Sequence, residues 1–172
     1  PFLEKKLPEG LNLIVGALAI APLARIIAIA VDPVVNSTLL NIGRMISAAA
    51  EQSPIIMGFL LGGIMKMICT SPLSSMALTA MLGLDGLAMG IAAIACVGGS
   101  FTNGIIFDRL KLGERSNVIA VMLEPLTQAD IITQNPIPIY GSNFFGGGLA
   151  GLAAAMLGII NNAPGTASPI PG

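Results

Sequence analysis

The sequence predicts an all-α, polytopic helical membrane protein with a broken or re-entrant helix, and three observations carry that prediction. Hydrophobic residues make up 54% of the 172-residue chain and charged residues 10%, with a mean hydropathy of +0.86. Soluble domains carry about a quarter charged residues, so a chain of this composition belongs in lipid. The second observation is that apolar runs recur at lengths near the ~20 residues that span hydrocarbon. The third lies in the middle of the chain. The apolar run Ile55–Cys69 meets Thr70-Ser71-Pro72, continues as Leu73–Leu82, too short to cross, and is followed by the full-length run Leu84–Phe107. Proline has no amide donor and disfavours helical geometry at the residue before it, so the helix is expected to break there. Irregular backbone at membrane depth persists only where protein or a water-filled cavity covers it.

Taken in order, Pro1–Gly10 is polar and carries Lys5 and Lys6 just before the first apolar run. Leu11–Val31 is long enough for one crossing at ~1.5 Å per residue. Pro22 within it predicts a kink. Arg25 serves either as a counter-ion to Asp32 or a headgroup, or as a group facing the bundle. Asp32-Pro33 is expected to end this span. Val34–Ala50 then sets Val35, Leu39, Ile42, Met45 and Ile46 at helical spacing against Asn36, Asn41, Arg44 and Ser47. That is the pattern of an amphipathic helix lying in the interface. Glu51-Gln52-Ser53-Pro54 marks a new helix start. The next run holds Gly58-xxx-Gly62, a close-packing face. Lys66, one turn before the break, is placed either to snorkel or to face a polar cavity.

Leu84–Phe107 continues the small-residue faces with Gly86/Gly90 and Ala88/Ala92, while Gly98–Gly104 reads as a second polar, flexible interruption. Asp108–Arg115, with Arg109, Lys111 and Arg115, reads as a cytoplasmic loop by its positive charge. Lys5 and Lys6 share that side only if the half-span crosses together with its break. Asn117–Ile132 is a shorter apolar run containing Glu124-Pro125, Thr127, Gln128 and Asp130. Its carboxylate lies either at the interface of a short surface helix or paired in a wet site. Asn135-Pro136-Ile137-Pro138 is expected as a rigid turn. Tyr140–Ile160 is the last span, with Gly146, Ala150, Ala154 and Gly158 repeating every four residues as a packing stripe. Asn161–Gly172, rich in Pro and Gly, is either a disordered end or a ligand-facing loop.

Several chemistries are excluded. A net charge of −1 gives no footprint for nucleic acid. The chain has no histidine and no CxxC; Cys69 and Cys96 sit in apolar runs and read as small buried hydrophobes. Neither a zinc site nor a Cys-His nucleophile is expected, and no catalytic residue, metal or cofactor is assigned. Binding groups are expected instead at the break, where Thr70, Ser71, Ser74 and Ser75 gather hydroxyls beside unpaired carbonyls. Asn103 and Glu124 are the next choice. Such groups offer the donors and acceptors that sugar hydroxyls need. A competing account is that Ser71 only caps a helix starting at Pro72.

The stretch Ser71–Gly98, SPLSSMALTAMLGLDGLAMGIAAIACVG, resembles the second, shorter type of phosphotransferase-system EIIC domain, in the group that includes toxin-regulator-like proteins. The likeness extends more loosely from about Asn41 through Asn135-Pro136-Ile137, and to Gly165-Thr166-Ala167-Ser168. It implies a single transmembrane EIIC-like domain over 1–172, the C-terminal half of a domain on a longer chain. It also implies a multi-pass permease of the bacterial inner membrane that binds and translocates a small polar solute, a sugar, for phosphorylation by phosphocarrier subunits. A homodimer in the lipid bilayer is implied as well. Ser71 and Ser74 carry over as site residues, with Gly165 and Thr166. The alternative is a membrane-embedded ligand sensor or regulator without transport, and a third reading is a structural subunit whose polar breaks serve folding.

Overall fold

The computed structural model describes residues 11–170, with side chains from Leu18 onward apart from Ala19. The polar start with Lys5 and Lys6 lies outside the described residues. Two compact units divide the chain, Pro1–Thr38 and Leu39–Gly172. The described residues form helices and no strand: α1 (Leu11–Gln52), α2 (Pro54–Thr70), α3 (Ser75–Met81), α4 (Gly86–Leu110), α5 (Arg115–Leu123), a 3-10 turn (Pro125–Gln128), α6 (Ala129–Gln134) and α7 (Pro136–Met156). The stretches Ile20–Gln52 and Gly86–Leu110 are long and apolar enough to cross a membrane.

Within the first unit, Ile20, Leu23, Ile26, Ile27 and Ile29 are all exposed on α1. Arg25 and Asp32 line one shallow groove, but the carboxylate takes its hydrogen bond from Asn36 Nδ2 at 2.9 Å. The expected end at Asp32-Pro33 is overturned, because α1 runs through both Pro22 and Pro33. An internal proline forfeits one ladder bond, whereas ending a helix in apolar surroundings orphans several backbone groups. Beyond Pro33, the Ser37 and Thr38 hydroxyls both donate to Val34 O, at 3.1 and 2.8 Å.

The second unit holds the break, the basic loop and the packed helices. α2 is built inside out relative to a soluble helix. Gly58, Leu61, Gly62, Met65, Lys66, Cys69 and Thr70 face inward, while Ile55, Ile56, Leu60 and Ile64 face outward. Small and polar groups inside with large aliphatics outside is what a helix in lipid requires. α2 packs most extensively on α7, and the seam is glycine on glycine. A Cβ built on Gly58 would meet Gly151 O and Ala155, and one on Gly62 would meet Gly147 O and Gly151 Cα. These pairs make α2 and α7 antiparallel.

Thr70 faces Asn103 and Lys66 lies over Gly99, so α2 and α4 run parallel. The intervening residues 71–85 must therefore carry the chain back along the length of α2. They do so as the break at 71–74, the half-helix α3 and a turn at Gly83, whose φ is +58°. This is the return that the basic-loop reasoning demands of the half-span. The α3–α4 turn lands on the last turns of α1, where a Cβ on Gly43 would strike the Leu82 carbonyl. Leu39, Ile46 and Ala50 of α1 pack on the core, whereas Val35, Ile42 and Met45 are exposed. The expected interfacial helix is thus the end of a longer one, docked along a narrower stripe.

Two further expectations are corrected. Gly98–Gly104 is no flexible interruption, because α4 is continuous through it. Each glycine in a helix costs about 1 kcal/mol against alanine, less than the several kcal/mol of an unpaired backbone group in lipid. The same glycines admit neighbours: Gly98 sits against Ala150 and Gly104 against Met122. The rigid turn at 135–138 is instead the first turn of α7, with Pro136 at its start. The first amides of a helix have no intrahelical acceptor, so proline there costs no bond. The last helix accordingly spans Pro136–Met156 rather than Tyr140–Ile160.

Candidate functional site

The apolar interior of the second unit is split in two. One cluster gathers Leu61, Met65, Cys69, Leu84, Met89, Ile91, Cys96 and Ala154; the other gathers Phe107, Val121, Ile132 and Ile139. Between them α2, α4 and α7 contribute a polar lane. Lys66 and Asn143 are 0% exposed, Asn103 1% and Thr70 2%. Asn143 Nδ2 donates to Asn103 Oδ1 at 2.7 Å, and Asn103 Nδ2 donates to Thr70 Oγ1 at 3.3 Å. Asn143 Oδ1 is buried and has no partner. An orphaned acceptor in an apolar interior costs about 1–3 kcal/mol, so each such group needs an explanation.

Lys66 lies one helical turn from Thr70 along α2. Its methylenes pass between Gly99 of α4 and Gly147 of α7, where any Cβ would collide with them. Its ammonium donates to Cys96 O at 3.4 Å. Of the two placements the sequence left open for Lys66, the structure takes the interior one. The glycines make a slot for the side chain, which explains why small residues recur at these positions.

The break occupies 71–74 as expected, but its hydroxyls are engaged locally. Ser71 Oγ donates to Ile68 O at 2.7 Å and accepts Leu73 N at 3.2 Å. Ser74 is exposed and caps α3, accepting Ala77 N at 3.1 Å. The cap therefore falls on Ser74, before Ser75, and not on Ser71 before Pro72. Ser75 is buried and donates to Ala167 O at 2.7 Å, tying the break to residues 157–170. These residues form an ordered loop along α3 and α4. Asn161 N donates to Gly86 O at 2.9 Å, and Asn161 Nδ2 donates to Thr166 Oγ1 at 2.7 Å. Gly165, with φ +87°, rests against Ala80 and Met76 of α3. Thr166, Asn161 and Ile159 face Gly90, Ala93 and Val97 across a cleft of ≈ 340 Å³.

The structure thus brings Thr70 and Asn103 into the lane, and Ser75 beside the loop that carries Gly165 and Thr166. Glu124 is bonded to none of these groups, although its charge reaches Lys66. It is exposed, and its Oε1 accepts Leu126 N at 3.3 Å as the cap of the 3-10 turn. Asn143 was not singled out in the sequence; its importance comes from the α4–α7 register, which brings it to Asn103 across forty positions of chain. A second cleft, of ≈ 380 Å³, lies where Arg44, Ser47 and Glu51 of α1 face Asp85.

Residues 2–172 match the family described as "Phosphotransferase system, EIIC". The match reaches well beyond Ser71–Gly98, on which the resemblance rests most firmly, and beyond its looser extension from about Asn41. No curated protein and no solved structure matches the chain.

Proposed function

Because the chain belongs to the phosphotransferase-system EIIC family, and so is a membrane permease domain of that system, we propose that it binds and translocates a sugar through the lane formed by Thr70, Asn103 and Asn143. The observation that carries this reading is the unpaired Asn143 Oδ1, at the end of a hydroxyl–amide chain buried between two apolar clusters. Amides and hydroxyls can exchange their mutual bonds for bonds to sugar hydroxyls without burying a new charge. The loop that Ser75 holds along α3 and α4, with Gly165 and Thr166 in it, covers the half-helix. Phosphoryl transfer belongs to phosphocarrier partners, since the lane holds no phosphate-accepting residue. The setting is the bacterial inner membrane, crossed several times, with the domain acting as a homodimer.

The test is uptake of radiolabelled sugars by proteoliposomes holding the full-length protein, with and without phosphocarrier subunits inside. Uptake that depends on the carriers and falls in Asn103→Ala supports the reading. Saturable binding with no uptake under either condition overturns translocation and favours a ligand sensor.

A further inference from the structure

Lys66 is the one charged residue in the polar lane, and nothing in the chemistry of a neutral sugar calls for it. The side chain is fully buried, and its ammonium, with three donors to satisfy, has a single long bond to Cys96 O. Among the described residues no carboxylate is bonded to it; the charge of Glu124 reaches it through space, but that side chain is exposed and capped onto Leu126 N. An unpaired cation at this depth is costly, and such groups line substrate paths or pair with an opposite charge. On α7, the Asn143 carbonyl oxygen independently lacks a donor. The lane therefore holds both a cation without a carboxylate bonded to it and an open acceptor.

We propose that Lys66 receives the carboxylate of a singly charged sugar acid of the hexuronate type, while Asn143 Oδ1 accepts one of its ring hydroxyls. The proposal rests on the sugar-permease reading of the same lane and adds the substrate class. A monoanion balances the single ammonium, whereas a phosphate dianion would leave a net buried charge. In the present arrangement the lane is closed, so the ligand enters when α2 shifts against α7 along their glycine seam.

The experiment is isothermal titration of the full chain in lipid nanodiscs with glucuronate, galacturonate, glucose, galactose and glucose 6-phosphate. A uronate is expected to bind roughly tenfold or more tightly than its neutral counterpart, the scale of one charge-assisted bond. Lys66→Met removes that preference, and Lys66→Arg retains part of it. Asn143→Asp, which supplies an internal counter-charge, also removes it and tests the idea even if Lys66→Met does not fold. Neutral sugars binding as well as uronates overturns the inference and leaves the permease reading standing. Glucose 6-phosphate binding best, or a uronate preference that persists in Lys66→Met or Asn143→Asp, overturns it likewise. Binding of none of the five, with carrier-dependent uptake also absent, overturns both.

Discussion

Replacing Gly62 with alanine puts one methyl group into the α2–α7 seam, where it would lie 2.5 Å from Gly147 O and 2.9 Å from Gly151 Cα. Both contacts are backbone, so no side chain can swing aside and the helices must separate. Overpacking of this kind costs about 1–3 kcal/mol. Against it stands the better helix propensity of alanine, worth about 0.8–1 kcal/mol, leaving a net loss of about 0–2 kcal/mol. Gly141, on α7, is the matched control, because a Cβ there meets nothing within 4 Å. Gly141→Ala keeps the propensity gain alone, so the two variants should differ by about 1–3 kcal/mol. Unfolding in mixed micelles with increasing SDS, followed by far-UV circular dichroism, reads that difference directly in a protein without tryptophan. Coincident curves, or a more stable Gly62→Ala, would refute a backbone-to-backbone seam.

Other perturbations separate the local roles assigned above. Ser74→Ala removes the α3 cap and should lower stability by about 1 kcal/mol while leaving sugar affinity unchanged by titration calorimetry. Asn103→Ala strands the Asn143 amide and is expected to cost about 1–3 kcal/mol in the same SDS titration, and to abolish binding. Ser75→Ala frees the Ala167 carbonyl; amide exchange in residues 161–170 should accelerate while exchange in α4 is unchanged. Gly165→Ala forces a side chain into left-handed backbone, at a cost of roughly 1–2 kcal/mol, and should loosen the same loop by the same measurement.

Much of the architecture was legible because apolar runs and proline act locally. Pro72 follows two hydroxyl residues and precedes an apolar run too short to span, so the break could be placed to within a residue or two. Pro33 and Pro136 obey the same chemistry with different outcomes. The first sits in surroundings where ending a helix costs more than one lost bond, and the second lies where no bond was due. The string from Gly98 to Gly104 misled for a related reason: glycine marks both loose backbone and close approach, and only the neighbouring helix decides. For Ala150 and Met122 to lie against it, α4 must remain a helix. The candidate site was half legible. Thr70 and Asn103 declared themselves as polar groups in apolar runs, but Asn143 begins to matter only through the register of α7 against α4. Glu124 looked expensive in a linear reading, yet the turn at Pro125 carries it to the surface.

The α2–α7 seam also bears on how this bundle can move. Helices that mesh through large side chains are held in register like gears, because sliding means lifting each ridge out of its groove. Gly58, Gly62, Gly147 and Gly151 present almost no teeth. One helix can translate along the other as a rod in a sleeve, a shear motion in which packing area is largely preserved. What stops the rod is Phe59 seated against Gly148 and Phe144 against Gly63, together with the Lys66 side chain across from Gly99 and Gly147 and the Asn143–Asn103–Thr70 bonds one turn away. The groups proposed to bind the sugar are then also part of the latch, and a ligand that draws on their bonds would loosen the slide in the act of binding.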